Sequence, residues 1–127
     1  MRDIRVEVDR TRLEIFADPL FEKVFYNLID NALRYGGEHM TRIRISSQKS
    51  SNGLTIVCED DGAGIAEEDK KELFTKGFGK NTGLGLFLCH EILAITGIAI
   101  VENSTPRKGA RFELWVPKGV YRFAGKE

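Results

Sequence analysis

The sequence predicts an α/β fold, a two-layer sandwich in which a mixed, mostly antiparallel sheet carries helices on one face. Three observations predict it. Several short segments alternate apolar and polar residues with the period of two expected of half-buried strands. Longer segments place apolar residues at helical spacing instead, and glycine, asparagine and proline punctuate the boundaries. The resulting order is β β α β β α, a glycine-rich loop, then α β β.

Residues 4–8 (IRVEV) and 13–16 (LEIF) alternate, with DRTR between them as a turn. Asp18-Pro19 predicts a helix start, with Asp18 as N-cap and Pro19 at the first helical position. Leu20, Val24, Leu28 and Ile29 then keep helical spacing to Tyr35, where Gly36-Gly37 ends the run. Residues 41–48 and 54–59 alternate again, and Ser51-Asn52-Gly53 predicts a hairpin turn between them. A glycine loop, EDDGAGI, leaves the second of these strands. Residues 66–73 predict a short charged helix, and 74–85 (FTKGFGKNTGLG) a mobile segment. Residues 84–96 predict a helix with apolar positions at 84, 87, 88, 92 and 95. Strands over 98–103 and 110–116 follow, joined by TPRKG, and the basic tail at 118–127 reads as loose.

A chain of 127 residues fits one domain with a single core. With 42% hydrophobic and 30% charged residues it is neither a disordered tail nor a membrane protein. Its 19 basic and 19 acidic side chains cancel, which argues against a general nucleic-acid or membrane-surface binder but leaves room for a local basic patch. No apolar run approaches the ~20 residues of a membrane span, and no signal peptide opens the chain. Cys58 and Cys89 form no CxxC pair and have apolar neighbours, so buried, reduced thiols of a cytoplasmic protein are expected. The start, almost directly in a strand, suggests a domain cut from a longer chain.

The glycine loops invite a phosphate reading, and the familiar templates fail. A P-loop ending at Gly79-Lys80 would place Phe74 at its first glycine and Asn81 after the lysine. Gly77-Phe78-Gly79 meets its third glycine, Gly83, one residue too late for a dinucleotide fingerprint. An EF-hand loop from Asp60 would need oxygens at Gly62 and Gly64. What remains is Gly83-Leu84-Gly85-Leu86 entering a helix, whose free first-turn N–H groups attract anions. Lys76, Lys80 and Thr82 can add charge and donors there.

Two further elements fit a nucleotide. Asp60, at a strand end in a glycine loop, can accept a hydrogen bond from the exocyclic amine of adenine, where guanine presents an oxygen that a carboxylate repels. A solvated acidic turn is the plainer alternative. On the first helix Asn27, Asn31, Arg34 and Tyr35 share one broad face. An amide oxygen suits Mg²⁺, Arg34 suits a phosphate, and Tyr35 can pack on a base or sugar. Helical asparagines are nevertheless more often bonded to neighbours than to metals.

In series, NLIDN, DDGAGI, the LF of Leu73-Phe74 and GLGL resemble the ATP-binding catalytic domain of sensor histidine kinases, within the superfamily that includes gyrase, Hsp90 and MutL. The resemblance runs from about residue 3 to 117. It implies the Bergerat form of the α/β sandwich, with Asn27 to Asn31 as the N box, Asp60 to Gly64 as G1, Phe74 as the F box and Gly83 to Gly85 as G2. It implies that Asn31 ligates Mg²⁺ bridging the ATP phosphates, that Asp60 holds adenine, and that Arg34 touches phosphate. Nucleotide contacts from Tyr35, Gly62, Gly64, Ile65, Phe74, Thr82, Gly83, Leu84, Gly85 and Leu86 follow, with 74–82 as a short lid from which Lys80 reaches the γ-phosphate. Where gyrase-like ATPases carry a water-activating glutamate, this chain has Asn27, which has no basic lone pair. That implies phosphoryl transfer to a histidine rather than rapid hydrolysis.

The implied partners are a phosphoacceptor dimerisation hairpin, which this chain lacks, and a response regulator downstream. No nucleic-acid or direct membrane contact is expected, and the location is cytoplasmic whether or not the parent is membrane-anchored. Of the two histidines, His90 lies in the helix after the G2 box and His39 in a turn, and neither is expected to be the acceptor. A stand-alone anti-sigma-type serine kinase and a degenerate nucleotide sensor are the alternatives.

Overall fold

The computed structural model describes residues 4–8, 13–15, 20–75, 85–104 and 108–123. In chain order the elements are β1 (Arg5–Val8), β2 (Leu13–Ile15), α1 (Phe21–Tyr35), β3 (Arg42–Ser50), β4 (Gly53–Asp60), α2 (Glu67–Lys70), α3 (Gly85–Ala94), β5 (Ala99–Glu102), β6 (Arg111–Pro117) and β7 (Tyr121–Phe123). Five strands form one sheet in the order β1-β3-β4-β6-β5, parallel only between β1 and β3. The sandwich and the mixed, mostly antiparallel sheet expected from the sequence are both present.

Strand alternation decides which residues meet the helices. Leu54, Ile56 and Cys58 of β4 and Phe112, Leu114 and Val116 of β6 turn into one core, opposite each other in register. Val24, Leu28 and Ala32, one helical turn apart, bring α1 onto that surface. Phe21 and Phe25 meet edge to face at 5.3 Å beside it. Leu28 is only 1% exposed, so its burial is worth about 1.5–3 kcal/mol. Ser50 pairs with Gly53 across Ser51-Asn52, giving the expected hairpin with strands longer than their alternation predicted.

Four expectations are corrected. β1 and β2 do not pair across DRTR; β1 joins β3, and β2 pairs antiparallel with β7 in a separate two-stranded sheet. The same pairing corrects the tail, whose Tyr121–Phe123 segment is strand β7 and not loose. In α3 the buried positions are Leu86, Cys89 and Leu93, whereas Leu88 is exposed, as is Ile95 just past the end of the helix. That helix is apolar on most of its circumference, so spacing alone could not select the packed face. The charged helix is also shorter than read, with turns from Lys71 onward. The expected cap Asp18-Pro19 lies outside the described residues, and α1 begins after Leu20 without a side-chain cap. Among the described residues no helix is long and apolar enough to cross a membrane.

Candidate functional site

A cavity opens between the end of α1, the end of β4 and the start of β6, about 390 Å³ including its open mouth. Leu28, Ala32, Ile43, Cys58, Ile65 and Phe112 make it largely apolar. Asn31, Tyr35 and Asp60 bring the polar groups. A shape of this kind suits a flat, mostly apolar ring with a few polar atoms at its edge.

Asp60 ends β4 half-buried, and its Oδ1 accepts hydrogen bonds from the N–H of Gly62 (2.8 Å) and of Ala110 (3.3 Å). Its own N–H donates to the Ala110 carbonyl at 3.0 Å. Gly109 makes this approach possible. Its φ is +88°, and a Cβ there would run into the Asp60 carbonyl. Burial pushes the Asp60 carboxyl above its ordinary value, the two peptide N–H groups oppose that, and Asp61 and Glu102 add to it.

The neighbouring carboxylate has another task. Asp61 accepts from Thr41 N–H (2.8 Å), Thr41 Oγ1–H (2.6 Å) and Arg42 N–H (3.0 Å). Burial is the largest single influence and raises this carboxyl, but those bonds together outweigh it and hold it below the usual range. Asp61 therefore ties the glycine loop to the start of β3. The loop is also fixed from above, since Ala63 N–H donates to the Gly36 carbonyl at 2.7 Å and Gly62 lies against the Gly36 backbone.

Of the residues singled out in the sequence, Asn31, Tyr35, Asp60, Gly64 and Ile65 line the cavity together. Gly62 shapes it through its bond to Asp60. Asn27, one turn before Asn31, is not among the lining residues; its side chain bonds the buried Cys89 thiol. Arg34 also stands apart, with Nε 2.8 Å from Asp30 Oδ2. Phe74 reaches the site indirectly, packing edge-on against the cavity residue Phe112 at 6.2 Å and tilted over His90 at 6.1 Å. Gly85 opens α3, while the Leu86 side chain goes into the core, leaving only its backbone for a ligand. Lys76, Lys80, Thr82, Gly83 and Leu84 lie outside the described residues.

Gly36, Gly109, Ala110, Asp61 and Phe112 complete the site and were not singled out. Gly36 and Gly109 carry turn signals in the sequence; only the β4–β6 register shows that Gly109 and Ala110 close on Asp60. Both cysteines are buried as expected, and burial first of all pushes the thiols up, to about 12 at Cys58 and about 11 at Cys89. They are packing groups and not nucleophiles. Among the described residues no three His, Cys, Asp or Glu side chains gather as a metal site.

A family profile described as histidine kinase-, DNA gyrase B- and HSP90-like ATPase matches residues 17–120. Among curated proteins, the sensor histidine kinase ZraS of Escherichia coli O157:H7 is 37% identical over 123 residues, covering 94% of this chain and 27% of ZraS. The alginate biosynthesis sensor protein KinB of Pseudomonas aeruginosa is 33% identical, covering 89% of this chain and 18% of KinB. The chain thus spans about a quarter or less of these relatives. Among solved structures, the ATP-binding domain of PrrB from Mycobacterium tuberculosis superposes with a TM-score of 0.74 at 27% identity, covering 92% of this chain and 82% of that one. The catalytic domain of histidine kinase ThkA gives 0.74 at 29% identity, covering 91% and 80%.

Proposed function

Because the chain belongs to the family of histidine kinase-, DNA gyrase B- and HSP90-like ATPases, we propose that it is the Mg-ATP-binding catalytic domain of a sensor histidine kinase, handing the γ-phosphoryl group to a histidine on a separate dimerisation hairpin. The observation that carries the adenine part is the half-buried Asp60 at an apolar cavity, its Oδ1 held by two peptide N–H groups. Oδ2 is then the acceptor left for the adenine amine. Guanine would set an oxygen against that carboxylate and leave both unpaired, which is where base selectivity comes from.

Asn31 fits a hard cation. It faces the same cavity, and among the described residues no hydrogen bond engages its amide. One protein oxygen is enough for Mg²⁺, which keeps waters and binds phosphate oxygens for the rest. Bound there, the ion would neutralise charge on the β- and γ-phosphates. Tyr35 and Ile65 would flank the nucleoside, and Arg34 would have to leave Asp30 to meet a phosphate.

Asn27 supports transfer over hydrolysis. An amide cannot take a proton from water. A neutral imidazole nitrogen needs no base to attack phosphorus, so positioning and charge neutralisation suffice. ZraS, a relative named as a sensor histidine kinase, favours a histidine acceptor over the serine acceptor of an anti-sigma-type kinase, with a response regulator as the next recipient. Such a domain works where cytoplasmic ATP is present.

Calorimetry with Mg-ATP and Mg-GTP tests the reading. Binding of ATP at least tenfold tighter than GTP is expected, and equal affinities would overturn the role of Asp60. Transfer of labelled phosphate to a hairpin of a related sensor kinase supplied in trans tests the acceptor; labelling on serine instead would favour the other kinase class.

A further inference from the structure

Glu102 and Lys70 lie outside the cavity described above, yet their geometry leads to it. Glu102 closes β5 with its side chain only 2% exposed. Its Oε2 accepts from the Arg111 N–H at 3.1 Å, and its Oε1 from the Ser104 N–H at 3.3 Å. The residue before Arg111 is Ala110, whose N–H holds Asp60. Adjacent peptide amides therefore carry one carboxylate each, Asp60 towards β4 and Glu102 towards β5.

A carboxylate so buried needs a cation. Lys70, on α2, supplies it, with Nζ 3.3 Å from Glu102 Oε1, 3.2 Å from Glu67 Oε1 and 3.3 Å from the Ser104 carbonyl. Among the described residues no other cation pairs with Glu102. Arg111 is committed to the opposite face of the sheet, with Nε 2.9 Å from Glu113 and Nη1 3.1 Å from Glu59. We propose that Lys70 and Glu102 are positioning residues for adenine recognition: the pair anchors α2 to the end of β5, and Lys70 cancels the charge that Glu102 sets beside Asp60. The proposal rests on the reading of Asp60 as the adenine partner.

The other groups around Asp60 make this pair the adjustable one. Cys58, two residues back on the same strand face, is a neutral thiol. Asp61 is engaged by Thr41 and Arg42 of the β3 edge. Tyr35 of α1 lines the cavity on its other side. Burial is the first cause that raises Asp60, and Asp61 and Glu102 add to it, so an unneutralised Glu102 would add more.

The test compares affinities for Mg-ATP and for the magnesium complex of purine riboside triphosphate, which lacks the exocyclic amine but carries the same titrating phosphates. Their ratio, followed from pH 4.5 to 8 by calorimetry, reports the Asp60 acceptor alone. In the unaltered chain the ratio falls as Asp60 takes up a proton. Lys70→Met should move that midpoint up by roughly half to one pH unit, and Glu102→Gln should move it down by a similar amount. The double variant should return it near its starting place, and Lys70→Arg should leave it there. A purely structural role would weaken both ligands alike, without midpoint shifts of opposite sign. Midpoints that stay fixed, or move together, would overturn the proposal. If Asp60→Asn leaves the ratio unchanged, the adenine reading itself has failed; if it abolishes the ratio while the other variants leave the midpoint alone, only the role of the pair has failed.

Discussion

Gly62 lies directly against Gly36, so that a Cβ on the first would meet the carbonyl and Cα of the second. Beside it Ala63 N–H closes a 2.7 Å bond to the Gly36 carbonyl. The helix bearing Asn31 and the loop after Asp60 are locked together here, which sets the width of the cavity. Gly62→Ala is therefore expected to cost about 1–3 kcal/mol and to weaken Mg-ATP binding at least tenfold. Gly97→Ala is the control. That glycine has φ +77° and nothing within 4 Å of a Cβ, so thermal melting should show a loss of about 1 kcal/mol with nucleotide affinity unchanged.

On the proposed reading, Asp60 trades stability for recognition. Burial raises its carboxyl above the ordinary value, against the two peptide N–H groups, so the folded chain binds a proton more readily there than the unfolded chain. Its contribution is most favourable below the ordinary carboxylate range and is lost as pH rises through the raised value. An asparagine oxygen can accept the same two bonds without charge. Asp60→Asn should therefore melt higher than the unaltered chain at neutral pH, with the gap closing towards about pH 4. Added Mg-ATP should raise the melting temperature of the unaltered chain much more than that of the variant.

At Asp61 the sign is reversed. Its bonds to Thr41 and Arg42 hold the carboxyl low despite slight burial, so its stabilisation is present above the unfolded value and is lost as pH falls through the depressed one. Asp61→Ala should lower stability at neutral pH by roughly 1 kcal/mol, discounted because the group is mostly in water. Melting curves of the two proteins should converge in acid.

Asn31→Ala separates metal from base. The apolar cavity and Asp60 stay in place, so binding of ATP without magnesium should change little. The gain in affinity on adding magnesium should shrink at least tenfold, read by calorimetry with and without a chelator. An unchanged magnesium gain would remove Asn31 as the ligand.

The strands and helices that build the sheet and α1 were legible because alternation and helical spacing are local signals. Leu54, Ile56 and Cys58 announce their shared face within five residues of chain. The face of α3 was not legible, because Leu86, Leu88, Ile92, Leu93 and Ile95 are all apolar and only contact with α1 and β5 selects among them. The tail misled for a related reason. Tyr121–Phe123 is too short to signal a strand, and its partner, β2, is more than a hundred residues earlier.

By itself the sequence determined the order of elements as far as β6, the run of boxes that marks the family, and the residue types suited to adenine and magnesium. These depend on side-chain chemistry and short spacing, which a linear chain displays. Tertiary structure alone decided that Asn31, Tyr35, Asp60, Gly64 and Ile65 share one cavity, while Asn27 turns to Cys89 and Arg34 to Asp30. It also decided that Gly109 and Ala110 close on Asp60 from fifty residues away, and that Glu102 hangs from the next amide. Strand register brings those groups together, and register is a property of the packed sheet rather than of any stretch within it.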